Sequence, residues 1–501
     1  MSESPAPPAA SRAARDLHEL EVLLASAIPL IAIETHEERH LMGLLVQYAV
    51  RARRPLWRWT ITEGLARLDI DLAVEKRAVD PGVALSEIRK SGQPAIWVLV
   101  DFHPYLDEPR HVRHLKDIAI DRERGHTVVL VAHEIAIPPE LYRYSARFEL
   151  SLPGRAELER LVREEAAAFA RERGRSSLAV ERASLDRLVQ NLLGLPGEDA
   201  RRLTRRALAN DGALTDADIP AVQKEKFRLL SNGGVLGIEH DGARFADVGG
   251  FARLKRWLQV RRAAFFDAVA MDRPRGLMLI GVQGCGKSLA AKAVAGAWGV
   301  PLLRLDFGAL YDKFFGESER NMRDSLRTAA AMAPCVLWID ELEKGIGTDM
   351  HDGGTSRRVF GTFLTWLSEN DARVFVVATA NDISALPPEL VRKGRFDEIF
   401  FVDLPDEAGR REILSIHLAR RGLEPERFDL EALVAACSGF SGAELEQVVV
   451  SGIYAARAQN SPPGAAHLLL EASHTQPLSV VMREAVDALR SWSVGRTVPA
   501  D

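Results

Sequence analysis

Eight consecutive residues, Gly281-Val-Gln-Gly-Cys-Gly-Lys-Ser288, carry chemistry that can be read from residue type and spacing alone. A glycine, four intervening positions and then Gly-Lys-Ser make a loop able to wrap the phosphates of a nucleoside triphosphate. The glycines leave room for consecutive backbone N–H groups to turn inward, Lys287 brings a mobile positive charge, and the Ser288 hydroxyl can ligate Mg²⁺. The expected phosphate contacts are Gln283, Gly284, Cys285, Gly286, Lys287, Ser288 and Leu289. Taken alone, so short a pattern also fits a plain glycine turn between a strand and a helix.

Two further groups narrow that choice. Cys335-Val-Leu-Trp-Ile-Asp-Glu341 is an apolar run ending in two acids. Asp340 is suited to hold the water shell of Mg²⁺, and Glu341 to polarise an attacking water as general base. Val374-Phe-Val-Val-Ala-Thr-Ala-Asn381 ends in an amide able to orient that water toward a γ-phosphate. The elements that must position these groups follow from the same pattern. Leu277-Met-Leu-Ile280 and the two runs above are apolar throughout, as parallel strands buried on both faces are. The tips of such strands are where doubly wound sheets bind ligands. Leu289-Ala-Ala-Lys-Ala-Val-Ala-Gly-Ala297 reads as the helix whose N-terminus faces the anion.

In this order, the motifs resemble the AAA branch of the AAA+ ATPases from about Phe245 to the C-terminus. Phe245-Ala-Asp-Val-Gly-Gly250 is similar to the family's opening segment, which cradles adenine and so implies Asp247, Val248 and Gly249 as nucleotide contacts. The resemblance implies ATP and Mg²⁺ as cofactors and puts Asn381 at the first sensor. It puts His417, in Arg411-Glu-Ile-Leu-Ser-Ile-His417, near the nucleotide on a helical lid, and Gly442 and Ala443, in Gly439-Phe-Ser-Gly-Ala-Glu-Leu445, at the second sensor. Arg392 and Arg395, within Leu386-Pro-Pro-Glu-Leu-Val-Arg-Lys-Gly-Arg-Phe-Asp397, match the arginine fingers. Such fingers act on ATP held by a neighbouring subunit, which implies a homo-oligomeric, hexameric ring. Lys313-Phe-Phe-Gly316 resembles the central-pore loop, in which Phe314 and Phe315 would grip a polypeptide. Core packing also explains two adjacent phenylalanines, and surface charge explains two arginines.

The pattern is not followed everywhere. Val282-Gln283 replaces two prolines and Cys285 a threonine, without removing a backbone donor. Cys285 can be redox-sensitive if Lys287 and the helix N-terminus stabilise its thiolate; a small residue in a tight turn is the plainer reading. Lys344, beside the two acids, has no role that the motif explains.

The N-terminal half repeats this organisation without the catalytic parts. Ala95-Ile-Trp-Val-Leu-Val-Asp101 resembles the run to Asp340, with Phe102 where Glu341 would be. His126 to His133, followed by Ile137-Pro-Pro-Glu-Leu141, echoes Val374 to Asn381 followed by Leu386-Pro-Pro-Glu-Leu390. Leu188 to Glu198 aligns without a gap to Leu433 to Ala443, so the lid helices are duplicated as well. Where a phosphate loop should stand, Leu30-Ile-Ala-Ile-Glu34 runs into Thr35-His-Glu-Glu-Arg39, which has no glycine and two acids, Glu37 and Glu38, facing any incoming phosphate. Generic Val/Ile-rich strands account for part of this similarity.

The expected fold is therefore α/β: a P-loop NTPase (AAA+) doubly wound parallel sheet with a helical lid, preceded by a degenerate AAA-like α/β module with its own lid. The expected division is a disordered tail (1–14), the degenerate module (15–153), its lid (154–215), a linker (216–242), the large ATPase subdomain (243–405) and its lid (406–501). Over nearly its whole length, including Gln476-Pro-Leu-Ser-Val-Val-Met-Arg-Glu484, the chain resembles the AAA group named after a conserved hypothetical chloroplast open reading frame.

Composition sets the remaining bounds. A chain of 501 residues is too long for one core. A net charge of -5 argues against a broad nucleic-acid footprint, and Arg51-Ala-Arg-Arg54 and Arg201-Arg-Leu-Thr-Arg-Arg206 read as solvated helix faces. Three scattered cysteines suggest a reducing, cytoplasmic setting, and no apolar stretch approaches membrane-spanning length. No His-Glu-x-x-His peptidase motif occurs. Three classes of function remain: an ATP-driven motor that remodels a protein partner, a nucleotide-dependent scaffold or switch with little turnover, and a nucleic-acid loader. The partner's identity is not readable.

Overall fold

The computed structural model describes residues 12–70, 78–174, 182–231, 235–239, 247–267, 272–310, 317–345, 355–382, 386, 389–390 and 394–501. The chain forms two compact units, Met1–Leu214 and Thr215–Asp501. Phe314, Phe315 and Arg392, three of the residues singled out above, lie outside the described residues.

Among the described residues, the first unit is built on six strands: β1 (Leu30–Glu34), β2 (Leu56–Thr60), β3 (Gly64–Arg67), β4 (Ile96–Val100), β5 (Thr127–Ala132) and β6 (Ser145–Phe148). Their order across the sheet is β3-β2-β4-β5-β1-β6, parallel except for the β2–β3 hairpin. β4 and β5 are buried along their whole length. Their side chains alternate between two apolar layers, Trp97 and Leu99 facing one and Ile96, Val98 and Val100 the other. Helices Arg155–Glu172, Arg182–Leu192 and Gly197–Asp211 follow the sheet.

The second unit repeats the plan with β7 (Leu236–Glu239), β8 (Gly276–Gly281), β9 (Leu302–Leu305), β10 (Cys335–Ile339), β11 (Val374–Ala380), β12 (Glu398–Val402) and β13 (Val498–Pro499). The order is β13-β12-β8-β11-β10-β9-β7, with β7 antiparallel to β9. Setting the added strand β13 aside, β12-β8-β11-β10-β9 reproduces β6-β1-β5-β4-β2, each sheet ending in one antiparallel edge strand. Cys335, Leu337 and Ile339 face one apolar layer, Val336 and Trp338 the other. Residues 216–242, read as a linker, include helix Ile219–Leu230 and β7 within this second unit. Helices Glu407–Arg420, Leu430–Ala436, Gly442–Ala458 and Ala465–His474 pack around Leu414, Leu418, Leu433, Leu445, Val448 and Leu468.

Strand register refines the match between the two halves. β5 and β11 end just before His133 and Asn381, so Val131 corresponds to Thr379. Val100 pairs with Val131, whereas Ile339 pairs with Ala378, one residue earlier. Val100 thus takes the place of Asp340, and Asp101, rather than Phe102, that of Glu341. Asp101 and Glu341 share a positive φ, 52° and 50°. Phe102 then corresponds to Leu342, and both are buried. Matching first acid to first acid along the sequence missed this offset, because it is visible only against the neighbouring strand.

In the first unit a carboxylate occupies the loop after β1. Glu37 is 5% exposed, accepts the backbone N–H of Gly197 at 2.8 Å where the third lid helix begins, and pairs with the buried Arg12 guanidinium. The acid that the sequence reading saw as facing a phosphate thus meets the lid helix N-terminus itself. Glu37→Gln should cost the unit about 3 kcal/mol, the low end for breaking a buried pair, because Asp16 and Glu157 remain 3.7 and 3.9 Å from Arg12. Urea denaturation measures this, and an unchanged midpoint would show that the Glu37 charge holds nothing in place.

Candidate nucleotide-binding site

The loop between β8 and helix Lys287–Trp298 is shaped by contacts that few residues tolerate. A Cβ on Gly281 would overlap the carbonyl of Val402 in β12, and that same carbonyl accepts the Val282 N–H at 3.0 Å. Gly284 and Gly286 hold φ of 77° and 86°, the left-handed region that glycine enters without a steric penalty. The loop therefore turns its backbone N–H groups toward the start of the helix, where the helix dipole also favours an anion.

Lys287 is buried, and its ammonium donates to the carbonyls of Gly281 and Val282, both at 2.8 Å. Burial lowers its pKa to about 8. Burial also pushes the Cys285 thiol up to about 12, so the loop cysteine is a protonated packing group rather than a ready thiolate.

At the tips of β10 and β11 the polar residues form one network. The Ser288 hydroxyl donates to Asp340 Oδ1 at 3.0 Å, and the Thr379 hydroxyl donates to the same oxygen at 2.6 Å. The Glu341 N–H donates to Thr379 Oγ1 at 3.1 Å. The Asn381 amide donates to Glu341 Oε1 at 3.4 Å, and its backbone N–H to Glu343 Oε1 at 2.9 Å. Lys344 forms an ion pair with Glu341, which raises the lysine pKa. Gln283, Gly284, Lys287, Ser288, Leu289 and Glu341 line the resulting cavity of about 190 Å³. A cleft of about 940 Å³ beside Arg275 and Asp397 is larger but lies where β8 and β12 begin, away from the strand tips. Thr379, Glu343 and Lys344 were not singled out for this network; the alternation of β11 puts Thr379 two residues before Asn381 on the same face, which is the signal that could have found it.

The lid closes on the loop by backbone. Ser441 and Glu444 form a reciprocal capping box at the start of helix Gly442–Ala458, and the Ala443 N–H donates to the Gly284 carbonyl at 2.9 Å. Gly249 lies against helix Glu407–Arg420, where an added Cβ would stand 2.7 Å from Ile413 Cγ1. Asp247 pairs with Arg420 at 3.5 Å, and the Val248 carbonyl accepts from Lys255 at 2.7 Å. His417 faces Glu446 (3.5 Å) and Arg421 (3.3 Å) within the lid; burial lowers its pKa, opposed by the Glu446 charge. The Arg395 guanidinium donates to the Glu389 carbonyl at 2.7 Å and is not among the residues lining the 190 Å³ cavity.

The family comparisons agree with this geometry. Residues 277–404 match the ATPase family associated with various cellular activities, 16–150 the N-terminal domain of SpoVK-like AAA ATPases, and 156–233 their second domain. The AAA domain-containing protein ycf46 of Guillardia theta is 35% identical over 95% of this chain and 94% of its own length. The chain belongs to the AAA ATPase family. The ycf46 protein of Pyropia yezoensis is 33% identical over 95% of this AAA chain and 97% of its own. The proteasome-activating nucleotidase of Aeropyrum pernix is 39% identical over 42% of it. Among the described residues, no helix of this AAA protein is long and apolar enough to cross a membrane.

Lys287 gives the site a pH signature. Its folded pKa, about 8, lies below the ordinary 10.5, so the neutral form is favoured as pH rises from 8 to 10.5 and the nucleotide-free fold gains stability over that window. A bound triphosphate favours the ammonium, so binding above pH 8 takes up a proton. Affinity should be flat below pH 8 and then weaken by up to about tenfold per pH unit. Calorimetric titration at pH 7.5, 8.5 and 9.5 checks this; a flat profile would contradict a lowered pKa for Lys287 in the nucleotide-free site.

Proposed function

We propose that the second unit binds and hydrolyses Mg-ATP, and that the chain works as a ring-forming motor that remodels a protein partner. The observation that carries this reading is the network joining Ser288, Asp340, Thr379, Glu341 and Asn381 beside an open phosphate loop. In it, the loop N–H groups from Gln283 to Leu289 and the Lys287 ammonium hold the phosphates. Asp247, Val248, Gly249 and the lid residues His417, Gly442 and Ala443 bound the nucleoside side. Ser288 and Asp340 present hard oxygen donors in contact with each other, the donor chemistry suited to Mg²⁺. Bound there, Mg²⁺ neutralises developing charge on the phosphate oxygens. Glu341 accepts a proton from the attacking water, and the Asn381 amide fixes the Glu341 carboxylate that receives it.

The cavity in one chain has a phosphate-side lysine but no arginine among its described lining residues. In our reading Arg395, with Arg392, completes the site of the next subunit, which gives the ring its reason. Phe314 and Phe315 would face a polypeptide in the axis of that ring. We take 243–405 as the large ATPase subdomain, 406–501 as its lid, 15–153 and 154–215 as the corresponding parts of the first half, and 216–242 as the join. The first half, with Glu37 in place of a phosphate, is read as a non-hydrolysing module, so one nucleotide binds per chain. The cysteines described are free, which suits a reducing, cytoplasmic compartment.

One observation favours a second reading, a nucleotide switch with little turnover. Lys344 ties up the Glu341 carboxylate while the site is unliganded. The side chain of Lys344 is 68% exposed, and exposed pairs are weak, so nucleotide binding can release it.

Glu341→Gln should keep ATP binding and lower turnover about 100-fold or more, as loss of a general base does. Arg395→Ala should lower turnover at least as much while leaving ATP bound. Mixing the two variants should restore activity, because some interfaces then combine an intact Glu341 with an intact Arg395. No recovery, together with turnover per chain that is independent of protein concentration, would exclude a shared site; negligible wild-type turnover at every concentration would support the switch.

A further inference from the structure

The register match places three residues of the first unit at the corner that performs catalysis in our reading of the second. Asp101 stands at the position of Glu341, His103 two residues on at that of Glu343, and His133 at that of Asn381. In the second unit these three positions are tied by hydrogen bonds from Asn381 to Glu343 and Glu341. In the first unit the amide and one acid have become imidazoles. Each of the three residues offers a ligand atom, and these atoms lie within 4.8 Å of one another.

The surroundings favour a cation. The His103 and His133 rings meet edge to face with centroids 4.9 Å apart. His103 Nδ1 is buried without a hydrogen-bond partner among the described residues. His36, from the loop after β1, stacks on His133 at 6.4 Å. We propose that Asp101, His103 and His133 bind a first-row divalent metal ion of the zinc class, with one coordination position left open. Two imidazoles and a carboxylate are a borderline-soft donor set that suits Zn²⁺ better than Mg²⁺ or Ca²⁺. Ligand atoms around a tetrahedral ion with bonds of about 2.1 Å stand about 3.4 Å apart. Asp101 and His133 are exposed, so side-chain rotation closes the remaining gap. The ion would join the tip of β4, the turn His103–Tyr105 and the tip of β5.

The test uses the full-length chain, free of any polyhistidine tag and stripped with chelator. Titration with Zn²⁺ should show one strong site per chain, and Co²⁺ should give visible d–d absorption without thiolate charge-transfer bands. His103→Ala and His133→Asn should each weaken Zn²⁺ binding by about 100-fold or more, since losing even an outer-shell partner costs 10–100-fold. His133→Asn installs the residue found at the matching position of the second unit, and an unchanged urea midpoint of the first unit, measured as for Glu37→Gln, reports that each variant is folded. Wild-type chain that takes up no Zn²⁺ at micromolar concentration, or folded variants that bind it as tightly as wild type, would overturn the proposal.

Discussion

The structure of each unit depends on what the first turn of its third lid helix, Gly197–Asp211 or Gly442–Ala458, meets when it reaches the loop after β1 or β8. A helix N-terminus presents N–H groups that need acceptors, and the loop either supplies one or leaves room for one. In the second unit the Ala443 N–H takes the Gly284 carbonyl, one neutral hydrogen bond with a net value of about 1 kcal/mol. In the first unit the Gly197 N–H takes the buried carboxylate of Glu37, which Arg12 neutralises. The first arrangement leaves the loop's own N–H groups open to an incoming anion; the second supplies the anion from the chain itself. The same fold thus yields one loop whose helix contact is a neutral hydrogen bond and one whose helix contact is a buried carboxylate.

This difference also explains how tightly each lid is held. Breaking the second unit's contact exposes two groups that water can satisfy at little cost. Breaking the first unit's contact removes a hydrogen bond to a buried carboxylate that stays paired with Arg12, which costs about 1.5–3 kcal/mol. The other attachments of the second lid are of the weaker kind. They include the exposed Asp247–Arg420 pair at 3.5 Å and the close packing of Gly249 on Ile413. Both join the segment entering the ATPase unit to the helix that carries His417, so a shift of the lid is felt at the nucleoside side of the loop.

Much of the fold was legible because buried parallel strands advertise themselves. The apolar runs ending in Asp340, Asn381, Asp101 and His133 are continuous, and each run marks a strand and its tip. The meeting of Ser288, Asp340, Glu341 and Asn381 was likewise foreseeable, since tips of adjacent parallel strands converge whatever the helices do. The parts that escaped depend on relations between elements. The one-residue offset of β4 against β5 leaves no trace in either strand alone. Helix Ile219–Leu230 and β7 lie in a stretch whose Ser-Asn-Gly-Gly composition reads as a connector, yet β7 pairs with β9. Glu37 looked like an acid opposing a phosphate because its partner, Gly197, is remote in sequence. Lys344 had no role until the ion pair with Glu341 gave it one.

The two strand-tip corners show how a duplicated site can change its chemistry without changing its frame. Both copies keep the positive φ at the residue after the strand, 52° at Asp101 and 50° at Glu341, and both keep a large apolar residue buried behind it, Phe102 and Leu342. These features fix where the neighbouring polar side chains stand, so substitution there alters what is held rather than where. A carboxylate, a carboxylate and an amide suit proton transfer to an oriented water. A carboxylate and two imidazoles lack the amide that orients, but gain two nitrogen donors whose affinity for borderline metal ions far exceeds that of oxygen. The first unit has no phosphate loop after β1, and Asp101, His103 and His133 nevertheless stand together at this corner. What such a corner offers is one carboxylate and two imidazoles whose ligand atoms lie within 4.8 Å of one another, the donors that a small cation takes.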